Sequence, residues 1–494
     1  MSTQHSKKAA KFLKNGTYAK WHDATFWAVR TKRDNMAHGL DEWEQLREKA
    51  SAIKRHTITH LDEYLEQFAT AAEKNGVIVH WAKDAEEFNQ IVYGLLKQHD
   101  VKKLVKSKSM LTEECEMNPY LEARGIEVVE TDLGERIIQL KGQKPSHIVM
   151  PAIHLNHDDV GELFEKKGIS KEKGNHDPTY LTYMARLSLR NEFLTADAGM
   201  TGANFGIAET GDIVVCTNEG NADMSTSCPK LHIAAIGLEK VIPNYDCLAV
   251  FQRMLCRAGT GQPTTTYTSH FRKARPTAKE MHIILVDNGR SDWVGNPDHW
   301  EVLKCIRCGS CMNTCPVYRR SGGYSYSYFI PGPVGINLGM LRNPWHHSGN
   351  VSACTLCLSC QTVCPVKIDL GDQIYKWRQK LNRLGTANPE KKWMCRGMNV
   401  LFGSPAIYKM ATAVSPVANV IPPFLMNSSL NPWAEGHDMM KFPKKPFHSI
   451  IKEELRGSQE ELRDNSSATP ILLKEKRQGY SKHMSLNSRG PKGR

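Results

Sequence analysis

The chain carries one cysteine pattern twice, as Cys305-Ile-Arg-Cys308-Gly-Ser-Cys311-Met-Asn-Thr-Cys315-Pro316 and as Cys354-Thr-Leu-Cys357-Leu-Ser-Cys360-Gln-Thr-Val-Cys364-Pro365. We call these two stretches the first run and the second run. The two-residue spacers let three thiolates converge from one tight loop, and the proline after the fourth cysteine stops the chain from wrapping further. Four cysteines at this spacing, present twice, are typical of the ligands of two 4Fe-4S clusters.

The fourth cysteine of each run has a separate role, because in two-cluster proteins with this spacing it ligates the cluster of the other run. The sequence therefore predicts two crossed ligand sets, which are Cys305, Cys308, Cys311 with Cys364 and Cys354, Cys357, Cys360 with Cys315. This crossing would clamp both runs into one unit and keep the clusters close enough for electrons to pass between them.

Other interpretations of the cysteines are weaker. Zinc commonly takes its four ligands from two separated pairs, which a doubled run closed by Cys-Pro does not resemble. Disulfide bonds need an oxidising compartment, and residues 1–8 lack the apolar stretch of a secretory signal. The remaining cysteines are scattered, and we interpret them as small buried apolar side chains: Cys115, Cys216, Cys228, Cys247, Cys256 and Cys395.

Length and charge set limits on the class of protein. At 494 residues the chain has room for two or three domains with sizeable cores. The net charge of +13 arises partly from residues 470–494, which hold seven lysines and arginines against Glu475 alone. A basic tail is typical of proteins that bind nucleic acid, an anionic membrane or an acidic partner. It is also typical of solvated, disordered segments, and the Ser, Asn, Gly and Lys content of this tail favours disorder. We therefore predict a basic, disordered tail over residues 457–494.

Residues 57–297 alternate between helical and strand periods. Leu61 to Ala72 has helix spacing, Val77 to Trp81 is a short apolar run, and Asp84 with Glu87 resembles a capping box that opens a second helix. Further strand candidates share a short buried character and are residues 103–106, 126–131, 147–150, 213–216, 231–236 and 282–286. Strands separated by helices predict an α/β domain with a mainly parallel, doubly wound sheet.

Three segments flank this domain. Residues 1–56 are charged and are predicted to form an N-terminal helical extension. Residues 298–390 are predicted to form an α-helical ferredoxin domain, because 38 residues separate Cys315 from Cys354 and a helix-spaced stretch follows Asp369. Residues 391–456 form an apolar segment containing prolines. Its uncharged stretch Met410 to Ala434 is long enough to cross a bilayer, but prolines and asparagines interrupt it, which favours irregular packing on protein.

Candidate ligand-binding loops are less specific than the cysteine runs. The sequence has no Walker A motif and no G-x-G-x-x-G after a strand, so a phosphate cradle is not predicted. Gly199 to Gly206 and Gly259 to Gln262 are glycine-bearing stretches that either approach a ligand or form tight turns. Polar stretches near strand ends are further candidates. Lys106 to Ser109 either faces an anion or forms a solvated strand end with a helix cap, and Glu130 to Glu135 offers three carboxylates for acid–base catalysis but no defined partner. Glu209 to Asp212 and Thr217 to Asn221 flank one strand at the ligand-binding end of the sheet, with solvated turns as the alternative.

Taken together, these stretches resemble the iron–sulfur subunit of the bacterial lactate utilisation system, the lactate utilisation protein B family. The resemblance spans roughly residues 50 to 400, and the motifs that carry it, besides both runs, are Lys106 to Met110, Glu130 to Glu135, Thr201 to Asn204, Ala208 to Gly211, Thr217 to Asn221 and Asp287 to Ser291. It implies a lactate-utilisation domain similar to the ribose-5-phosphate isomerase and CoA-transferase group, followed by a helical ferredoxin. Only the eight cluster cysteines carry over as functional residues, and the catalytic residues stay unknown. Tyr324 stands where the family tends to place a histidine, so the cluster potential is expected to differ if that histidine tunes it.

The resemblance also implies a function. The chain would be a non-catalytic electron-transfer subunit of a complex that oxidises L-lactate to pyruvate, passing electrons to a respiratory acceptor. The implied partners are a cysteine-motif-rich subunit and a shorter copy of the α/β domain, in the cytoplasm and with at most peripheral membrane contact. In the alternative, the α/β domain binds or transforms an acyl or sugar-phosphate substrate and the clusters regulate it. Nucleic-acid binding is not expected, because the predicted folded region shows no recognition helix or RNA-binding signature.

Overall fold

The computed structural model describes residues 4–385, 389–426 and 442–464. These belong to two compact units, Met1–Ala387 and Asn388–Arg494. The strands all lie in the first unit and are β1 (Ile78–Ala82), β2 (Lys103–Lys106), β3 (Glu127–Glu130), β4 (Ala198–Gly202), β5 (Phe205–Ile207), β6 (Asp212–Thr217), β7 (Leu231–Gly237), β8 (Val241–Ile242), β9 (Tyr267–Phe271) and β10 (Glu280–Val286).

Helices of the first unit surround these strands and precede and follow them along the chain. They are α1 (Gln4–Lys14), α2 (Gly16–His38), α3 (Trp43–Thr59), α4 (Leu61–Lys74), α5 (Ala85–Gln98), α6 (Met110–Glu114), α7 (Met117–Glu122), α8 (Leu133–Lys141), α9 (His157–Lys166), α10 (Pro178–Thr195), α11 (Asn221–Ser227), α12 (Tyr245–Gly259), α13 (Arg290–Val294), α14 (Ser310–Thr314), α15 (Pro316–Ser321), α16 (Gly332–Arg342), α17 (Pro344–Ala353), α18 (Ser359–Thr362) and α19 (Leu370–Arg383).

The strands form two sheets. The larger has the order β1-β10-β7-β4-β2-β3 and is parallel throughout, which confirms the predicted fold class. Its central strands β7 and β10 are near-continuous apolar runs, as expected for strands buried on both faces. The smaller sheet has the order β8-β5-β6-β9 and is mixed, with β5 and β9 antiparallel to β6. Residues 213–216 were predicted as a strand of the parallel sheet, but they belong to β6 of this second sheet, which the sequence did not predict.

Local signals explain where several elements begin. Asp84 is the N-cap of α5, and its carboxylate accepts a hydrogen bond from the backbone N–H of Glu87 at 2.9 Å, as predicted. The prediction of a strand over residues 147–150 is wrong. The His147 side chain accepts hydrogen bonds from the N–H groups of Val149 and Met150, each at 3.0 Å, and this local turn replaces strand pairing.

Gly199 to Gly206, predicted as a loop, covers most of the strand β4 and the start of β5. Gly199 is required there because α11 lies directly against the strand. A Cβ atom at this position would lie 1.6 Å from the carbonyl oxygen of Ser225. The glycine therefore permits close packing of helix on sheet rather than approach of a ligand.

The N-terminal helices and the two runs share one apolar core with the α/β domain. Phe26 of α2, Phe251 of α12, Tyr318 of α15 and Trp377 of α19 are buried in the same cluster of side chains. Residues 298–385 contain helices and no strand, as predicted for this part of the chain. The helix after Asp369 is α19, and Gly385 follows it in a left-handed conformation, with φ of 70°.

The second unit contains the helices α20 (Pro389–Gly403), α21 (Pro405–Val414), α22 (Pro423–Met426) and α23 (Phe447–Asp464). The predicted irregular apolar stretch is helical over much of Met410 to Met426, and residues 427–434 lie outside the described residues. Helix α23 continues eight residues past the predicted boundary at residue 456, and residues 465–494 also lie outside the description. Within the described ranges, no helix is both long and apolar enough to cross a membrane.

Candidate metal centre

Three cysteines of the first run meet the last cysteine of the second run in space. A cavity of about 20 Å³ is lined by Cys305, Cys308 and Cys311 together with Cys364. The rest of its wall is largely apolar and includes Ile148, Ile306, Val334, Val366, Ile368 and Leu370. Four thiols therefore converge in a largely apolar enclosure, and they come from both runs.

The other four cysteines also lie close to one another. Burial raises the pKa of Cys360, and the nearby Cys315, Cys354 and Cys357 raise it further. Burial likewise raises the pKa of Cys315 to about 12, again with Cys354 and Cys357 contributing. The last cysteine of the first run thus lies with the first three of the second run. Metals bind thiolates rather than thiols, so binding of iron by these cysteines is expected to release their protons.

The two runs repeat the same loop geometry. Arg307 and Leu356 both have left-handed backbones, with φ of 59° and 54°. Their N–H groups donate to the sulfurs of Cys305 and Cys354, at 3.4 and 3.3 Å. N–H donors aimed at the ligand sulfurs stabilise the negative charge of a bound cluster.

The spacing of the sulfurs disfavours a single metal ion at either set. A Zn–S bond is about 2.3 Å, so two sulfurs on one zinc are at most about 4.6 Å apart. Among the described residues, one group of three or more His, Cys, Asp or Glu ligand atoms lies within 4.8 Å of one another, and it contains no cysteine. No three of these sulfurs therefore lie within 4.8 Å of one another in the described residues.

A network of buried charges borders the first run. Arg290 forms ion pairs with Glu114 at 2.9 Å and Glu239 at 2.5 Å, and all three side chains are almost completely buried. Arg307 of the first run approaches Glu239 at 3.6 Å. Burial opposes ionisation of Glu239, but Arg290, Lys240 and Arg307 outweigh it and lower its pKa to about 2. These contacts join residues that are far apart in sequence, so no local sequence motif predicts them.

A second, much larger cavity of about 520 Å³ lies at the carboxyl ends of the parallel strands. Ser107 follows β2, Asp132 follows β3, Asn204 follows β4 and Gly237 ends β7, and all of them line this cavity. Ligands of open α/β sheets bind at this edge. Arg307 and Cys308 of the first run also line it, so the cavity borders the candidate metal centre directly.

Some of the polar residues that the sequence marked as candidates line this cavity, and others do not. Lys108, Asp132, Thr217, Glu219 and Gln262 line it. Burial and the neighbouring Asp132 raise the pKa of Glu219 to about 7. These residues are spread over more than 150 positions of the chain, and the sequence marked them as separate candidates without predicting that they meet.

Other candidates lie elsewhere. Lys106 is buried and paired with Glu130 at 2.7 Å, so it is neither a solvated strand end nor an anion ligand. Asp212 is paired with Arg272 at 2.7 Å outside the large cavity. Tyr324 donates a hydrogen bond to the carbonyl of Lys144 at 2.7 Å, and none of its described hydrogen bonds reaches a cysteine.

The cysteines outside the runs differ in exposure. Cys115 and Cys256 are buried, as predicted, and Cys216 and Cys247 are partly buried. Cys228 and Cys395 are exposed, so the prediction that they are buried is wrong.

The chain matches the LUD domain family over residues 65–291 and the 4Fe-4S dicluster domain family over residues 301–368. The fold and the site thus define a two-cluster 4Fe-4S protein with an α/β LUD domain, and they confirm the predicted cofactors. The chain is 40% identical to lactate utilization protein B of Shouchella clausii over 83% of its own length and 87% of the relative's. It is 39% identical to lactate utilization protein B of Oceanobacillus iheyensis over 87% and 92% of the two chains. The chain belongs to the lactate utilization protein B family.

One solved structure also matches. It is the crystal structure of a DUF162 family protein from Deinococcus radiodurans, and the match covers 46% of this chain and 98% of that one. Sequence identity is 14% and the TM-score is 0.27, a likeness too low to support an inference.

Proposed function

We propose that this chain is the electron-transfer subunit of a complex that oxidises L-lactate to pyruvate, and that it passes electrons to a respiratory acceptor. The name of its relatives, lactate utilization protein B, supports lactate as the substrate of the system. One observation carries the electron-transfer role. Cys364 lines the same small cavity as Cys305, Cys308 and Cys311, so the two runs interlock as crossed ligand sets require.

In this proposal Cys305, Cys308, Cys311 and Cys364 hold one cluster, and Cys354, Cys357, Cys360 and Cys315 hold the other. The bound clusters supply one-electron transfer. The chain's own residues supply the surroundings: backbone N–H groups face the sulfurs, and Arg307 and Lys240 place positive charge beside Cys305. Positive charge near a cluster favours its reduced, more negative form.

The two ligand sets differ in what lies next to them. Cys357 and Leu358 of the second run are exposed, whereas Cys308 of the first run faces the large cavity. We propose that the exposed loop meets a partner subunit. The expected partners are a cysteine-motif-rich subunit and a shorter copy of the α/β domain, in the cytoplasm and with at most peripheral membrane contact.

The purified chain alone is expected not to oxidise L-lactate with an artificial acceptor. Dithionite should reduce its clusters directly, whereas lactate should reduce them only after the two partner subunits are added. The reason is that the described residues present cluster ligands but no nicotinamide-binding fingerprint. Spin resonance of anaerobic samples, with and without partners, measures this. Turnover by the chain alone, shown by mass spectrometry to be free of partners, would contradict the proposal.

The large cavity favours a second candidate function, in which the α/β domain itself binds a small molecule. Its volume falls within the range of about 300–1,000 Å³ that is usual for small-molecule sites. It lies at the ligand-binding edge of the sheet, and its wall includes Cys308. L-lactate, pyruvate, acyl compounds and sugar phosphates are the ligands to compare, by calorimetry on the cluster-loaded protein.

If an anionic ligand binds there, its affinity should fall as the pH rises through about 7. Glu219 is neutral below its raised pKa and negatively charged above it, and its negative charge repels a carboxylate or phosphate. We expect a decrease of about tenfold, the size of a coupling of one pKa unit. Glu219→Gln should remove this dependence, and Glu66→Gln, at an exposed position, should retain it. Equal pH profiles for wild type and Glu219→Gln would exclude Glu219 from the site.

A further inference from the structure

A second group of metal-ligating side chains lies away from the cysteines, in the α/β domain. His282 and Glu280 are on β10, His80 is on the neighbouring edge strand β1, and His99 follows α5. Possible ligand atoms of His99, Glu280 and His282 all lie within 4.8 Å of one another. Glu280 begins β10, so the group lies at the amino end of that strand, whereas the large cavity lies at the carboxyl ends.

The fold explains why these residues meet. Positions 280 and 282 are two apart on one strand, so their side chains point to the same face of the sheet. β1 pairs in parallel with β10, with Ile78 opposite His282, which brings His80 alongside. His99 is the C-cap of α5, the helix that follows β1, and this helix end carries its ring to the same place.

The distances resemble the arrangement of a mononuclear site. One Glu280 carboxylate oxygen lies 3.1 Å from Nε2 of His282 and 3.3 Å from Nε2 of His99. Two imidazole nitrogens and one carboxylate oxygen are a usual ligand set of zinc, with bond lengths of about 2.0–2.2 Å. Donor atoms about 3.1–3.3 Å apart can therefore share one ion after small side-chain movements.

His80 supplies the outer contact that metal-binding histidines usually have. Its Nε2 lies 3.0 Å from Nδ1 of His282, on the opposite side of the ring from Glu280. In such a site Nδ1–H of His282 donates to His80, and this fixes the tautomer that leaves Nε2 free for a metal.

We propose that His99, Glu280 and His282 bind one divalent transition-metal ion of the zinc class, oriented by His80 and completed by water. His282 and the Nε2 atom of His99 are buried, while the Glu280 side chain is 40% exposed, so the ion and the water would enter on the Glu280 side. The ion would join the start of β10 to the end of α5. The alternative is that the same side chains form only hydrogen bonds with one another and bind no metal. The experiment below distinguishes the two.

The test uses the full chain with its clusters loaded, under anaerobic conditions. The protein is dialysed against buffered Zn²⁺ at a series of free concentrations, and zinc and iron per chain are measured by mass spectrometry. We expect one zinc per wild-type chain with the iron content unchanged. His99→Ala and Glu280→Gln should lose the stoichiometric zinc, and His80→Ala should weaken binding by about 10–100-fold.

His38→Ala is the matched control, because His38 is exposed and outside the group. It should bind zinc like the wild type. Thermal unfolding gives a second measurement, since bound zinc should raise the unfolding temperature of the wild type and of His38→Ala but not of His99→Ala. Absence of stoichiometric zinc in the wild type, or equal binding by His99→Ala and Glu280→Gln, would overturn the proposal. The cluster-based function would be unaffected by that result.

Discussion

Cys364→Ser is expected to remove about four of the eight irons that two 4Fe-4S clusters contain. Its spectra should match those of Cys305→Ser rather than those of Cys354→Ser, although Cys364 belongs to the second run. The physical reason is that Cys364 shares its enclosure with Cys305, Cys308 and Cys311, and a serine hydroxyl is a poor replacement for a soft thiolate ligand. Iron analysis and spin resonance of the reduced protein, prepared anaerobically, measure both effects.

A variant of the fourth cysteine of the first run tests the other ligand set. Cys315→Ser should match Cys354→Ser, because Cys315 lies with the first three cysteines of the second run. Cys228→Ser is the control, since this cysteine is exposed and outside both runs, and it should keep all the iron. If Cys364→Ser instead resembled Cys354→Ser, each run would ligate its own cluster and the crossed assignment would be wrong.

Arg290→Met is expected to lower the free energy of unfolding by about 3–5 kcal/mol, the usual result of removing one partner from a buried ion pair. Without the guanidinium, Glu114 and Glu239 are buried beside each other's negative charge with less compensation. Methionine fills part of the same volume, so the loss reports mainly on charge rather than on a cavity. Denaturant unfolding of the wild type and the variant, both with clusters loaded, measures the difference.

Arg275→Met provides the comparison. Arg275 is paired with Asp223 at 2.9 Å, but both side chains are about one-third exposed. Loss of such a pair costs about 0–1 kcal/mol. If Arg290→Met cost no more than Arg275→Met, the buried network would not contribute to stability in the way described.

The sequence predicted those features that depend on local pattern. The spacing of the two runs indicated two clusters, and apolar runs such as Leu231 to Ile236 and His282 to Val286 indicated central strands. Local pattern failed where a contact from elsewhere decides the structure. Gly199 was predicted to lie in a loop because glycine is common in turns. It lies in a strand because α11 packs so closely against that strand that no side chain fits, and the sequence does not show this contact. Residues 147–150 have the composition of a strand, but the His147 side chain caps its own turn.

The candidate site was predicted only in part for a related reason. The cysteines were found because a cluster needs several ligands close together in sequence. The charges around them are Glu114, Glu239, Arg290 and Arg307, which come from four separate parts of the chain. Polar candidates near strand ends were predicted but the cavity was not, and its border with Cys308 depends on how the helices of residues 298–385 pack on the sheet. Single-sequence patterns contain no information about that packing.

The apolar core shared by α2, α12, α15 and α19 limits how this protein can change during evolution. Phe26, Phe251, Tyr318 and Trp377 fill one interior although they come from the N-terminal extension, the α/β domain and the cysteine-containing part. A recombination event that replaced either part alone would bring together surfaces that had not adapted to each other, and would leave mismatched volume in a close-packed interior. Exchange of one part alone is therefore expected to destabilise this protein, and substitutions on one side of this interior are expected to be matched by substitutions on the other.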